Sequence, residues 1–512
     1  MIILVEIDAV DETTGAAETL RFGSKPYTTE PGDTPANAVF RSRLKDPGNF
    51  ERHLFGEGRT YGSSEVGVGE VVLNNADGKL DGIERLALDG RAIRIWSVKR
   101  SNSPWASRET VLIGTMDLAS FNGRDVQIRL MDRLELLREA IQPLAYLGTT
   151  INGGLTVAEG NVDLKDVKKP MLFGRALSIA PVMVDQFDNV YQVASNALAL
   201  IENVRDGGVK LQASQDYPTL AALKAATVAA GQYATCLALG LLRTGLRPDG
   251  TLTLDAAEGA TAADRSTARV SRRILGSLVP VDEASFDALH AANPAECGLW
   301  ISQGETTVLA AATTILASVG GWLLPDRFGV FVTGRLELPA GVPVTVLTRN
   351  RIIDRGEGFA RLPTEDTGEG MAAKSLTVRF GRAYTTFSES DLKEVASDDA
   401  FRTFAKEEWR QVKVEAPETA ALHPRAIEML FETCFVQEAD ARAEADRLLA
   451  IYRVTRRRFQ IVQASQTVAH VEPGACVTLQ VNRYGLDEGR LARVLGIAPT
   501  YGTNLTTLDV WA

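Results

Sequence analysis

Cysteine and histidine are both scarce in this 512-residue chain, four of each. Cys236, Cys297, Cys434 and Cys476 stand far apart, with no close pair of the kind from which structural zinc and iron–sulfur sites draw ligands. Free, buried thiols without metal are therefore expected, and no disulfide framework. His53, His290, His423 and His470 lie at no metal-ligand spacing from one another or from a cysteine. His290, just before Asn293-Pro294, reads as a helix-end residue. The phosphate loop GxxxxGK[ST], the zinc motif HExxH and the nucleophile elbow GxSxG are all absent. Aromatics make up only 7%, which weakens the reading as a secreted carbohydrate-binding module. No apolar run reaches the roughly 18–20 residues that a membrane helix needs. Residues 308–324 come nearest and are broken by Thr313, Thr314, Ser318, Gly320 and Gly321. The start has no basic region and carries Glu6 and Asp8, so a strand is expected there and not a signal peptide, with synthesis in a cytoplasm.

What is present is ordinary for folded protein: 45% hydrophobic and 23% charged residues. The length calls for three to five domains. A formal net charge of −10 argues against a surface that grips nucleic acid through phosphates, although an acidic wall lets DNA slide past.

Periodicity and turn chemistry divide the chain into four units: 1–150, 151–263, 264–375 and 376–512. The first is strand-rich, with strands expected at 66–73, 91–98, 111–121 and 126–131 and a short helix over 132–140. Asn122-Gly123 is its strongest hairpin signal, since a type I′ turn needs positive φ at both central residues. The second unit opens at 169–174, has a hairpin at Asp206-Gly207 and a short helix after Tyr217-Pro218, and ends in the polar stretch 258–264. The third is mixed: a helix capped by Ser266 with Val270, Ile274 and Leu278 on one face, a helix over 282–292, and a helix over 306–319 stopped by Gly320-Gly321. A hairpin about residues 325–329 follows. A strand-rich segment over 344–387 leads into the last unit, which has an Ala-rich helix at 439–452 and strands at 458–462, 475–479, 491–497 and 508–511. The fold class is mainly β with α+β: small N- and C-terminal β-barrels flanking mixed α/β middle domains.

Four stretches invite a chemical reading, and each has a plainer one. Residues 73–84 resemble a calcium loop, but Leu73 stands where the leading carboxylate belongs, so a plain Asn/Asp/Gly turn is preferred. Gly67 and Gly69 begin a dinucleotide fingerprint that Val72 ends. Glu407-Glu408 and Asp398-Asp399 read as surface acids and not as a glycosidase pair. Arg453, Arg456, Arg457 and Arg458 lack interleaved aromatics and suit a helix C-terminus. No catalytic, cofactor-binding or metal-binding residue is assigned.

Several segments, in order, resemble the baseplate hub family of long-tailed phages and gene-transfer particles. They are "GEVVLNNADGKLD" at 69–81, "DGR" at 89–91, "KPMLFG" at 169–174 and "VYQV" at 190–193. "PDGTLT" at 248–253 follows, then "SVGGW" with "DRFG" between 318 and 329, and the closing helix with "PG" at 473–474 and "RYGLDEGR" at 483–490. The resemblance implies a structural virion protein, made in the host cytoplasm, that forms a trimeric ring without enzymatic activity. It implies contacts with the distal tail protein or tail tube and with a central tip or fibre protein, and transient DNA passage without specific binding. It brings no catalytic residues, and the clustered cysteines with which some relatives hold an iron–sulfur cluster are missing, so no cofactor is expected. The alternative from another class is a tail-associated hydrolase of cell wall or glycan.

Overall fold

In the strand Ile2–Asp11 alternate residues serve two different cores. Ile3, Val5, Ile7 and Ala9 face one, while Ile2 and Leu4 pack with Trp96 and Trp105 in another. A strand apolar on both faces belongs inside a sheet. It pairs antiparallel with Ala92–Val98 on one side and Ala17–Gly23 on the other. The computed structural model describes residues 1–302, 304–353, 358–393 and 399–512. In it this strand lies within a ten-stranded sheet that runs from Tyr27–Thr28 at one edge to Leu44–Asp46 at the other.

Two local expectations change. The hairpin Glu109–Phe121/Asp125–Met131 forms as read, but Gly123 (φ 81°) is left-handed and Asn122 is not, so the turn is not type I′. Asn122 Oδ1 instead accepts from the Arg124 and Asp125 N–H groups at 3.1 and 2.8 Å, closing the loop through its side chain. Residues 66–73, read as one strand, are two: Glu65–Val68 and Glu70–Asn74 enter different sheets. At Gly69 between them a Cβ would lie 2.9 Å from the Asn49 backbone nitrogen. The chain crosses itself there, and only glycine fits.

The next unit is a pair of five-stranded sheets facing across Leu172, Ile179, Tyr191, Val193, Leu242 and Leu254. One sheet contains Leu200–Asp206, Leu252–Ala257, Met171–Ile179 and Gly298–Ile301; the other is built on Val190–Gln192, Leu241–Thr244 and Gln232–Cys236.

The middle layer follows the helical pattern closely. Ser266, Asp282 and Thr307 cap Thr267–Leu275, Glu283–Ala292 and Val308–Ala317. The first helix stops at Gly276 (φ 54°), so Leu278, expected on its buried face, is 47% exposed. Gly320 (φ 58°) ends the third, and the hairpin Gly321–Pro325/Phe331–Arg335 follows directly. A sheet of Arg410–Glu415, Ala373–Phe380 and Ile427–Glu432 closes the layer. Helix Glu438–Tyr452 buries Ala441, Ala445 and Leu448 in the same core as Val270, Ile315 and Phe331.

The last sheet runs Val346–Thr348, Cys476–Val481, Leu486–Thr500, Leu505–Trp511, Arg458–Ala464, Phe359–Leu362. Neither terminal sheet closes on itself along its path of paired strands among the described residues. Phe50–His53 leaves the N-terminal unit and pairs with Leu486–Thr500, setting Arg52 opposite Ile497 and His53 opposite Gly496.

Candidate functional site

Residues 50–68 form a strap that reaches two cores and joins a third sheet. Phe50 is buried in the N-terminal core, Leu54 and Phe55 in the middle core, and the strand between them is hydrogen-bonded into the C-terminal sheet. Alternation explains how one short segment does this: successive side chains leave a strand on opposite faces while its backbone pairs sideways.

Charged groups fix the strap at both ends. Arg52, almost wholly buried, pairs with Glu472 at 2.6 Å, and Arg327 Nε donates to the same carboxylate at 2.7 Å. Glu472 precedes the Pro473-Gly474 turn of the C-terminal sheet, so three separate parts of the chain meet on one side chain. Burial nearby pushes the Tyr501 phenol up to about 12. At the far end the Asp366 carboxylate accepts from Thr60 N–H at 2.9 Å and from Thr60 Oγ at 2.7 Å. Thr60 Oγ also lies 3.1 Å from the Tyr452 hydroxyl of the long helix. Burial raises the pKa of Asp366, and the two Thr60 hydrogen bonds pull against it.

Beneath the strap lies an ion pair inside the C-terminal sheet. Arg458 Nε stands 2.8 and 2.9 Å from the two Asp509 oxygens, and both side chains are about 95% buried. Burial raises the Asp509 pKa, while Arg458 opposes the shift. Gly58 (φ 74°) covers Arg458 so closely that a Cβ there would overlap the guanidinium. A cavity of about 70 Å³ lies between Ser97 and Thr110 of the first sheet and Val468 of a short helix and Thr506 of the last sheet. That holds a few waters and no substrate. The arrangement joins parts of one body and positions no reacting group.

The residues weighed for chemistry are occupied otherwise. Asp77, in the loop that resembles a calcium site, takes both arms of Arg43 at 2.8 Å, and these bonds hold its carboxyl well below the usual range. Asn75 is spent on Leu80 N–H and Asp81. Of the arginine run, Arg453 and Arg458 face carboxylates, Arg456 donates to the Ile451 carbonyl, and Arg457 donates to that of Tyr484. His290 sits in the last turn of its helix, 2.7 Å from Ser266 Oγ. This contact resembles a nucleophile and its base, but Ser266 is fully buried and caps its own helix. Cys297 and Cys434 lie on paired segments, where burial raises both thiols, Cys434 to about 11; Cys236 and Cys476 are buried in other sheets. Among the described residues no group of three or more His, Cys, Asp or Glu side chains is placed to hold a metal, and no helix is long and apolar enough to cross a membrane. Glu408 pairs with Arg382 at 2.9 Å, Asp399 begins the helix Asp399–Lys406, and Asp398 lies outside the described residues.

The strap escaped the sequence reading. Its one usable signal was the glycine at 69, read there as part of a failed nucleotide fingerprint and in fact the point where the chain changes sheets.

No family model matches the chain, and no curated protein matches it. Among solved structures it is similar to a tail protein from Neisseria meningitidis, at 10% identity over 93% of each chain with a TM-score of 0.39. It is similar to a prophage tail protein from Shewanella oneidensis, at 8% identity over 100% of this chain and 98% of that one, with a TM-score of 0.40. A third is a chain of a gene transfer agent virion, at 14% identity over 71% of this chain and 90% of that one, with a TM-score of 0.41. These solved neighbours are phage-type tail and virion proteins.

Proposed function

We propose that the chain is a structural protein of a phage-type tail, and within it the baseplate hub. It forms a ring, of three copies, between the tail tube or distal tail protein and a central tip or fibre protein, and leaves a channel for DNA. The observation that carries this is the order of hub-like segments from residue 69 to residue 490. The strap is consistent with it: a part that transmits load gains from having its first and last sheets joined to one core. In this reading the two terminal sheets curl into the small barrels that pack around the channel, and the surplus of acid keeps DNA from sticking. The chain carries no cofactor and performs no hydrolysis.

Gold-labelled antibody against this chain, applied to purified particles, tests the assignment. Label at the distal end of the tail is expected. Label on the head, or particles without label, would contradict the reading, and lysis zones on peptidoglycan overlays that follow the purified protein would favour the hydrolase.

A further inference from the structure

The three-stranded sheet of the middle layer has one face on the core and one in solvent. Val378, Phe380 and Val412 point inward. The register sets Gln411, Arg379 and Glu432 side by side across all three strands on the other face. At that end of the sheet lies an open cleft of about 650 Å³, lined by Arg379, Arg382, Glu408, Trp409, Gln411 and Glu432. A smaller cavity of about 100 Å³ continues it inward, past Tyr384.

The polar groups are planar and held in place. Arg379 pairs with Glu432 at 2.7 Å and Arg382 with Glu408 at 2.9 Å. Arg382 also lies over the rings of Tyr384 and Trp409, at 4.9 and 5.3 Å from their centroids. Trp409 is half-buried, and its indole N–H has no protein acceptor among the described residues. Two guanidinium groups face three carboxylates, Glu407 included. That balance repels polyanions, so nucleic acid and phosphorylated ligands do not fit. One indole among ion pairs offers too little apolar area for a hydrophobic peptide. A neutral, polyhydroxylated ligand does fit: its C–H faces lie on the indole, and its hydroxyls meet donors and acceptors fixed in adjacent planes.

We propose that this cleft binds a neutral oligosaccharide, as a recognition site and not a catalytic one, independent of whether the chain is a hub. The test is an array of immobilised neutral, sialylated and phosphorylated oligosaccharides probed with the full chain, followed by titration of the best binder by tryptophan fluorescence. Binding to a neutral glycan is expected, weakened about tenfold or more by Trp409→Ala and largely kept by Trp409→Phe. Gln411→Ala, at the cleft rim, should weaken it several-fold. Lys413→Ala, on the same sheet outside the cleft, should leave it unchanged. Each variant is checked for an unaltered melting temperature. Binding to none of the glycans, binding to acidic glycans alone, or a neutral-glycan affinity indifferent to both Trp409→Ala and Gln411→Ala in folded protein would overturn the proposal.

Discussion

The two terminal sheets are built in opposite ways. The N-terminal sheet comes from one stretch of chain, Ile2 to Met131, folded about two apolar cores. The C-terminal sheet takes Val346–Thr348 and Phe359–Leu362 from before the middle layer closes, four strands from after it, and Phe50–His53 from the far end of the sequence. Its interior includes a buried ion pair, Arg458–Asp509, under the strap. The first sheet is complete within one continuous quarter of the chain. The second exists only once distant segments have met, which makes it slower to form and easier to disturb.

The largest effect should come from the strap itself. Phe55, 1% exposed, anchors it in the middle core, and Phe55→Ala should cost about 3–5 kcal/mol. Native-state hydrogen exchange should show faster exchange in Leu486–Thr500 while Ile2–Asp11 stays protected. Equal loosening of both sheets would erase the distinction between them. Arg458→Met comes next, at about 3 kcal/mol, the low end for removing one member of a buried pair. Asp509 already has a raised pKa and can take up a proton. The sign follows: a carboxyl whose folded pKa lies above its unfolded value, about 3.9, weakens the fold once ionised. The deficit of Arg458→Met should therefore be largest at neutral pH and shrink as the pH falls through the raised value. A denaturation series across pH checks this, and a deficit that grows on acidification would contradict it.

What was legible follows the same division. The cap Ser266, the glycine stop at 320 and the strands about Asn122-Gly123 were readable because each is decided within a few residues by hydrogen-bonding side chains or by φ. The split at Gly69 was not, since its cause is Asn49, just before the strand Phe50–His53, pressing against it. The placing of the long helix was not either: its apolar stripe of Ala441, Ala445 and Leu448 says that it packs, not on what. The candidate cleft was half-legible. Glu407-Glu408 was seen as plain surface acid, but only register brings Arg379, Gln411 and Glu432 into a row.

Two smaller predictions concern local features, which should leave the relation between the sheets intact. Gly320→Val forces a β-branched residue to φ 58° and should cost about 1–2 kcal/mol, lowering the melting temperature of the middle layer. The surroundings leave room for a Cβ, with Arg447 at 3.5 Å, so the effect is backbone strain, and Gly320→Asn should recover much of it. An unchanged melting temperature would show that the helix ends otherwise. Asp77→Asn should be the mildest. Arg43 lowers the pKa of Asp77, so whatever this exposed pair contributes is present above about pH 4 and is lost below it. At neutral pH the variant should melt with the wild type, and added calcium should shift neither. A calcium-dependent rise in the wild type alone would revive the metal-loop reading.

The proposed hub would be a ring-forming part whose two ends are strapped into one body. Cryo-electron microscopy of the intact tail tests it most directly. Three copies around an open channel at the distal end are expected, each with residues 50–68 lying across its own C-terminal sheet. A single copy on the axis, a position on the outer wall away from the channel, or a strap exchanged with a neighbouring copy would contradict it.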